Sequence, residues 1–315
     1  MTEEECEYES LPTTNIVAHM VAGAGAGAME HCIMYPIDCV KTRMQSLVPD
    51  PKASYKNVAD ALYTIIKQEG IGRTVRGINA VFFGAIPAHA MYFAAYEQIK
   101  LVLTERMSKQ YHSVAHGLAG CSATIFHDAV MNPADVIKQR MQMYQSPYST
   151  CSECGKRVLM EEGPHAFYRS YMTQLTMNIP FHAIHFMVYE KAQDMINPDR
   201  KYSPITHIAS GGAAGAIAAA VTTPLDVCKT LLNTQERCAY QNDGTISGLR
   251  QASSLIYKFG GLQGFFRGLT ARVIYQIPAT AISWSVYETF KFILATKKSA
   301  RASPILAANE SSGIR

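Results

Sequence analysis

The chain has 315 residues, and only 17% of them are charged, which is less than the usual quarter for soluble domains. A net charge of +4 is too small to indicate a nucleic-acid partner, and we expect none. Eight cysteines lie scattered without a paired spacing, apart from Cys151 and Cys154. That pair lacks a βαβ setting, so two ordinary thiols at the start of a short helix are favoured over a redox or zinc role.

Residues 1–14 are predicted to form an acidic, disordered N-terminus. The first ten residues, MTEEECEYES, resemble neither an arginine-rich transit peptide nor a secretory signal, so we expect any targeting signal to be internal. The polar residues 299–315 are predicted to form a disordered tail.

The first long helix is predicted from about Asn15 to Ser46. Gly23 and Gly27 are four residues apart, so they share one helix face and permit close contact with a neighbouring helix. Pro36 removes one backbone hydrogen bond and is expected to bend the helix. The glycine pattern recurs later as Gly120 with Thr124 and as Gly211 with Gly215.

The segment that begins at Pro36 occurs three times at nearly equal intervals. It reads PIDCVKTRMQ from Pro36, PADVIKQRMQ from Pro133 and PLDVCKTLLN from Pro224. Two further patterns keep this period: EGIGRTVRG, EGPHAFYRS and GGLQGFFRG, then YEQIK, YEKAQ and YETFK. The chain is therefore predicted to be a threefold repeat, since one repeat alone leaves apolar faces uncovered. The predicted repeats are residues 15–106, 107–199 and 200–298.

The second, fourth and sixth long helices are predicted to begin near Arg76, Arg169 and Arg267. Polar or charged residues interrupt every candidate run of about 20 apolar residues. Charges within such helices usually face a bundle interior or a water-filled cavity. The pattern therefore favours helices that surround a pathway.

Taken together, P-x-D-x-x-K, E-G with an aromatic-Arg-Gly, and Y-E-x-x-K resemble the mitochondrial carrier family over about residues 15–297. The resemblance implies an all-α membrane protein with six transmembrane helices in three pseudo-threefold repeats and three short matrix helices. It also implies a transporter, not an enzyme, that spans the mitochondrial inner membrane several times, contacts lipid and works by alternating access. Because one set of repeats closes its own cavity, we expect a monomer. Val75, Ser170 and Gly260 depart from the family pattern.

The resemblance further implies two salt-bridge gates. The matrix gate would pair Asp38 with Lys138, Asp135 with Lys229 and Asp226 with Lys41. One turn beyond their lysines, Gln45 and Gln142 could brace these pairs, whereas the shorter Asn233 is not expected to do so. The cytoplasmic gate would use Glu97, Lys100, Glu190, Glu288 and Lys291, with only two full pairs because Gln193 replaces a lysine. A purely structural role is less favoured, since buried ion pairs stabilise a fold poorly.

Substrate specificity in a carrier is expected near the middle of the bilayer, where the repeats meet. There, positions that match between repeats carry different side chains, as binding of an asymmetric substrate requires. On the fourth long helix Gln174, Asn178, His182 and His185 form one polar stripe. His182 and His185 are explained equally well as hydrogen-bonded interior groups. The candidate substrate ligands are His31, His89, Asp128, Met177, Asn178 and His182.

Imidazole, thioether, carboxylate and amide groups together favour a divalent first-row metal ion. The stretches EHCIMYPIDCVKTRMQ, PAHAMYFAAYE and QLTMNIPF are similar to the iron carriers of the family. This similarity implies Fe²⁺ as a transported substrate and not as a cofactor, with delivery for haem and iron–sulfur cluster synthesis. Mn²⁺ would be distinguished poorly by such ligands.

Three further histidines, His19, His116 and His207, each lie 17 residues before a repeat proline, near the predicted cytoplasmic mouth. A metal-capturing ring is one interpretation. Helix packing is favoured, because each histidine lies four residues before a helix-contact glycine. His207 is the best single candidate ligand of the three.

Arg272 fits an iron pathway poorly, because a cation inside the bundle repels Fe²⁺. We expect it to pair with Glu30 or Asp128. Three alternatives stay open: a carrier of a small organic solute bound through Arg272, a redox enzyme that uses Cys151 and Cys154, and a metal-sensing scaffold.

Overall fold

The structure is a computed structural model that describes residues 16–47, 55–108, 112–198, 203–235, 246, 248–283, 285–286 and 289. Its helices follow one order three times: long, short, long. They are α1 Ile16–Met44, α2 Val58–Glu69, α3 Ile78–Arg106, α4 His112–Gln142, α5 Cys151–Glu162, α6 Tyr171–Ile196, α7 Pro204–Thr234, α8 Leu249–Gly264 and α9, residues 269–283. No strand occurs in these described ranges. The all-α fold with its threefold repeat is therefore confirmed.

Several predictions concern residues beyond these limits. Both predicted disordered ends lie outside the described residues, as do Glu288 and Lys291. The same holds for the side chains of His19 and His116 and for the surroundings of Gly23. The predicted repeat boundaries themselves remain predictions.

The three short helices α2, α5 and α8 are amphipathic. Asn57 caps α2 by accepting a hydrogen bond from the Asp60 amide at 2.8 Å, and Thr150 caps α5 in the same way. Each helix buries two residues one turn apart against the bundle: Ala61 and Ile65, Cys154 and Val158, Ala252 and Ile256. These helices therefore attach to the bundle along one stripe only.

The first long helix of each repeat contains the repeat proline: Pro36 in α1, Pro133 in α4 and Pro224 in α7. Among the described residues, two helical stretches are long and apolar enough to cross a membrane by composition alone, Ile71–Arg106 and Pro204–Thr234.

Glycine permits close helix contact at some of the predicted positions. A Cβ added at Gly211 would lie 2.9 Å from Thr280, and one at Gly215 would lie 3.0 Å from Gln276. Gly27 lies directly against the ring of His89. The expectation for Gly120 was wrong, because no described atom lies within 4 Å of a Cβ added there.

The E-G pattern of the first two repeats is an ion-pair anchor. Arg43 of α1 binds Glu69 of α2, and Arg140 of α4 binds Glu162 of α5, which Arg169 also binds. Burial alone would raise the pKa of Glu162, but the hydrogen bonds from Arg140 and Arg169 hold this pKa below its ordinary value. The short helices are thereby fixed to the long ones.

The third repeat replaces this anchor with apolar packing. Gly260 stands where the acid is expected, and buried Leu231 stands where the arginine is expected. Arg267 instead donates to the backbone carbonyls of Ser46 and Leu47 in the first repeat. The loss of the acid at Gly260 is therefore accompanied by the loss of its arginine partner, since Leu231 occupies that position.

Candidate functional site

A ring of three ion pairs links α1, α4 and α7 just after their repeat prolines. We call these six residues the matrix ring. The Nζ–carboxylate distances are 2.7 Å for Lys138–Asp38, 2.8 Å for Lys229–Asp135 and 2.9 Å for Lys41–Asp226. These are the pairs that the family resemblance implied.

Two of the three pairs carry a glutamine brace. Gln45 donates to Asp226 at 2.7 Å, and Gln142 donates to Asp38 at 3.1 Å. Each glutamine in turn accepts from a threonine, Thr230 or Thr42, at 2.7 Å. The predicted positions of both braces are therefore occupied as expected.

The third brace is absent, as predicted. Asn233 is fully buried, and neither its amide oxygen nor its amide nitrogen has a hydrogen-bond partner among the described residues. The buried Oε1 of Gln139, which occupies the position equivalent to the threonines, also lacks a partner. The Asp135–Lys229 pair is therefore the least supported of the ring.

Replacing Asn233 with glutamine is expected to supply this brace. A hydrogen bond to a charged group contributes about 1.5–3 kcal/mol, so Asn233→Gln should raise the melting temperature and slow uptake by holding the ring closed. The measurement is thermal unfolding in detergent together with transport into liposomes. Asn233→Leu is the control of similar volume, and equal destabilisation by both substitutions would contradict a brace.

The cytoplasmic end contains no equivalent interhelical ring within the described residues. Lys100 pairs with Glu97 of its own helix at 2.8 Å and lies 5.2 Å from the ring centroid of Tyr96. Gln193 contacts Tyr189 at 3.2 Å and His207 at 3.0 Å.

Asp128 lies at the centre of the candidate substrate site. It is buried, accepts a hydrogen bond from Asn178 at 2.5 Å and contacts Nδ1 of His127 at 3.2 Å. Gln174 donates to Asn178 at 3.3 Å, so part of the predicted stripe on α6 is real. The hydrogen bond from Asn178 to Asp128 thus joins α6 to α4 at this level.

The expected partners of Arg272 were wrong. Its guanidinium lies 3.5 Å from Asp226 of the matrix ring and donates to the carbonyl and hydroxyl of Thr222 at 3.0 and 2.8 Å. It also contacts the sulfur of Met177 at 3.5 Å. Asp128 binds Asn178 instead. Arg272 therefore connects a candidate substrate ligand to the matrix ring.

Glu30, the other expected partner of Arg272, contacts α9 elsewhere. It accepts hydrogen bonds from Ser283 and from Tyr275, the latter at 3.5 Å. Hydroxyl donors thus occupy both of its carboxylate oxygens. This bond set joins the first repeat to the third.

His89 and His127 form a close pair that the sequence did not reveal. Their ring centroids are 5.0 Å apart, and the buried Nε2 of His89 has no hydrogen-bond partner among the described residues. Tyr92 packs edge-on against His127, with the ring centroids 6.3 Å apart. His127 was missed because it lies six residues before Pro133, next to the level of His31 and Asp128 and not at it, and its position beside Asp128 was the only signal.

The remaining predicted histidines occupy separate surroundings. His31 is partly buried, within electrostatic range of Lys138 and His127. His182 is exposed, and His185 stacks between Phe181 and Tyr189. His207 contacts the Tyr189 hydroxyl at 2.6 Å. Among the described residues, no three His, Cys, Asp or Glu side chains form a ready-made metal site.

The Cys151–Cys154 pair does not have the properties of a redox centre. Both thiols are free, and Cys154 is fully buried on the inward face of α5. Burial raises the pKa of Cys154 to about 12. A thiol that stays protonated at neutral pH is a poor nucleophile, so the redox alternative has no support here.

A family profile and the similar proteins point to the same protein family. The profile described as "Mitochondrial carrier protein" matches residues 12–107, 109–200 and 200–298. Mitoferrin-2 of Homo sapiens is 57% identical over 93% of this chain and 81% of its own length. Mitoferrin-1 of Mus musculus is 57% identical over 93% of this chain and 88% of its own. Mitoferrin of Caenorhabditis briggsae is 52% identical over 92% and 96%.

Proposed function

This chain belongs to the mitochondrial carrier family, and from that premise we propose that it imports ferrous iron into the mitochondrial matrix. Members of the family are transporters and not enzymes, and they reside in mitochondrial membranes. The proposal places the chain in the inner membrane with several membrane crossings, as a monomer surrounded by lipid. The iron would supply haem and iron–sulfur cluster synthesis.

The observation that carries the iron proposal is the donor set within the bundle. His89, Asp128, Met177 and Asn178 combine imidazole, carboxylate, thioether and amide groups, which suit a borderline divalent ion. Relatives named mitoferrin share more than half of the sequence over almost the whole chain. No rigid three-ligand cluster is needed, because a transported ion must also leave.

Alternating access assigns opposite roles to the two ends of the bundle. Fe²⁺ would enter from the cytoplasmic side and reach the ligands while the matrix ring is closed. Opening the ring would then require Lys41, Lys138 and Lys229 to leave their carboxylates. Because Asp135–Lys229 is the one pair of the ring without a glutamine brace among the described residues, we expect it to separate first.

A carrier of a small organic solute bound through Arg272 is the second candidate function. Its support is the guanidinium inside the bundle. The structure weakens this alternative, because Arg272 is only 5% exposed and is already bonded to Thr222, Asp226 and Met177. A solute carboxylate would have to displace those partners.

Uptake of Fe²⁺ by liposomes that contain the purified protein tests the proposal. Wild type is expected to show saturable uptake, and His89→Ala and Met177→Ala should each lower it by about tenfold or more, the scale of losses at metal-site residues. The measurement is iron trapped inside washed liposomes under anaerobic conditions.

Matched controls come from the same residue types. Met172 of α6 and His165, which follows α5, are both exposed, so Met172→Ala and His165→Ala should transport normally. Wild-type uptake no higher than that of empty liposomes would reject iron as the substrate. The organic-solute alternative would then be tested with carboxylate and phosphate compounds.

A further inference from the structure

We propose that His127 is a metal-contacting residue and forms with His89 a two-imidazole step for the divalent ion, with Asp128 as the group that orients His127. This proposal rests on the transport function above and deepens it. It assigns a role to a residue that the repeat comparison missed, and it changes the role of Asp128 from a ligand to a support.

The spacing of the two rings leaves room for a shared ion, provided that Nε2 of His89 turns away from Gly27. A nitrogen bound to a first-row metal lies about 2.0–2.1 Å from it, so each ring centroid would lie about 3 Å from the ion. Two rings that share one ion at a tetrahedral angle are then about 5 Å apart. The observed separation of the His89 and His127 centroids is 5.0 Å, and the rings are tilted by 57°.

The contact with Asp128 gives His127 the environment of a metal-binding histidine. Nδ1 of His127 lies 3.2 Å from the Asp128 carboxylate. Such a carboxylate partner fixes the tautomer and orientation of the ring and leaves the other nitrogen, Nε2, to bind the ion. Asp128 is in turn held by Asn178 at 2.5 Å. The chain Asn178–Asp128–His127 therefore supports the imidazole from α6 through α4.

The state of His89 supplies the second, independent observation. Its Nε2 is buried and has no hydrogen-bond partner in the part of the chain that the structure describes, and an unmade bond of this kind costs free energy. Gly27 of α1 lies directly against the ring, where any other residue would collide with it. Nε2 is the ring atom nearest to Gly27, so sharing an ion with His127 requires the His89 ring to turn away from Gly27. That turn would also give this nitrogen a partner.

Cobalt(II) binding to the full-length protein in detergent tests the proposal, since its visible absorption reports imidazole ligands without the oxidation that complicates work with Fe²⁺. His127→Ala and His127→Gln are expected to weaken cobalt binding by about tenfold or more and to change the spectrum. Both should raise the KM for iron uptake more than they lower the maximal rate. His165→Ala should match wild type in every measurement.

Thermal unfolding of each variant shows whether it is folded. If His127→Ala is not folded, the cobalt measurement is made on His127→Gln. Unchanged cobalt affinity and spectrum in a folded His127 variant would overturn the proposal, even if uptake fell, because packing against Tyr92 would then explain His127. Normal wild-type iron uptake with that result would leave the transport function intact. Cobalt binding through His127 without any iron uptake would reject the transport function and keep the metal site.

Discussion

Asp226→Asn is expected to destabilise the protein more than any other carboxylate replacement in the matrix ring and to abolish iron uptake. Asp226 is buried and contacts three partners, Lys41 at 2.9 Å, Gln45 at 2.7 Å and Arg272 at 3.5 Å. Removing its charge leaves the buried Arg272 and the partly buried Lys41 without this counter-charge. Breaking a buried pair in this way typically costs about 3–5 kcal/mol. Thermal unfolding in detergent and liposome uptake measure both effects.

Asp135→Asn is the matched control. Asp135 forms the equivalent pair with Lys229 at 2.8 Å, but no glutamine brace supports it and no arginine lies in ion-pair contact with it among the described residues. We therefore expect a smaller loss of melting temperature and some remaining uptake. Equal losses in the two variants would show that the contacts of Gln45 and Arg272 add nothing to the Asp226 pair.

Arg272→Lys is expected to lower both stability and iron uptake although it keeps the positive charge. The guanidinium reaches both oxygens of Thr222 and the sulfur of Met177 at once, and a single ammonium cannot reproduce that fork. Hydrogen bonds from a charged group contribute about 1.5–3 kcal/mol each, so losing one or two should lower the melting temperature clearly. Uptake should fall because Met177 loses its positioning contact.

Arg157→Lys is the control, since Arg157 forms only an exposed pair with Glu153 on α5. Normal uptake by Arg272→Lys would mean that charge alone matters at this position. An organic acid that protects wild type against thermal unfolding, but not Arg272→Lys, would support the organic-solute alternative. The two results are independent, so the variant separates a positioning role from a solute-binding role.

The repeats explain why the matrix ring was predictable. Three copies of P-x-D-x-x-K place each acid and each lysine at the same level of α1, α4 and α7, so neighbouring copies must face one another around the ring. The shorter side chain of Asn233 likewise predicted the missing brace, because reach is a local property of a residue. The buried Oε1 of Gln139, which has no partner among the described residues, was not predicted, since its bonding depends on the residue that packs opposite it.

The sequence by itself determined the threefold repeat, the acids and lysines of the matrix ring and the classes of donor available to a substrate. The pairing within the ring and the helix count per repeat followed from the family resemblance. Tertiary structure alone decided that Arg272 binds Asp226, that Lys100 bonds within its own helix and that His127 meets His89. The physical reason is that periodicity fixes which residues share a level and a face. The contacts of a long side chain depend on helix rotation and spacing, which are set by packing between residues far apart in the chain.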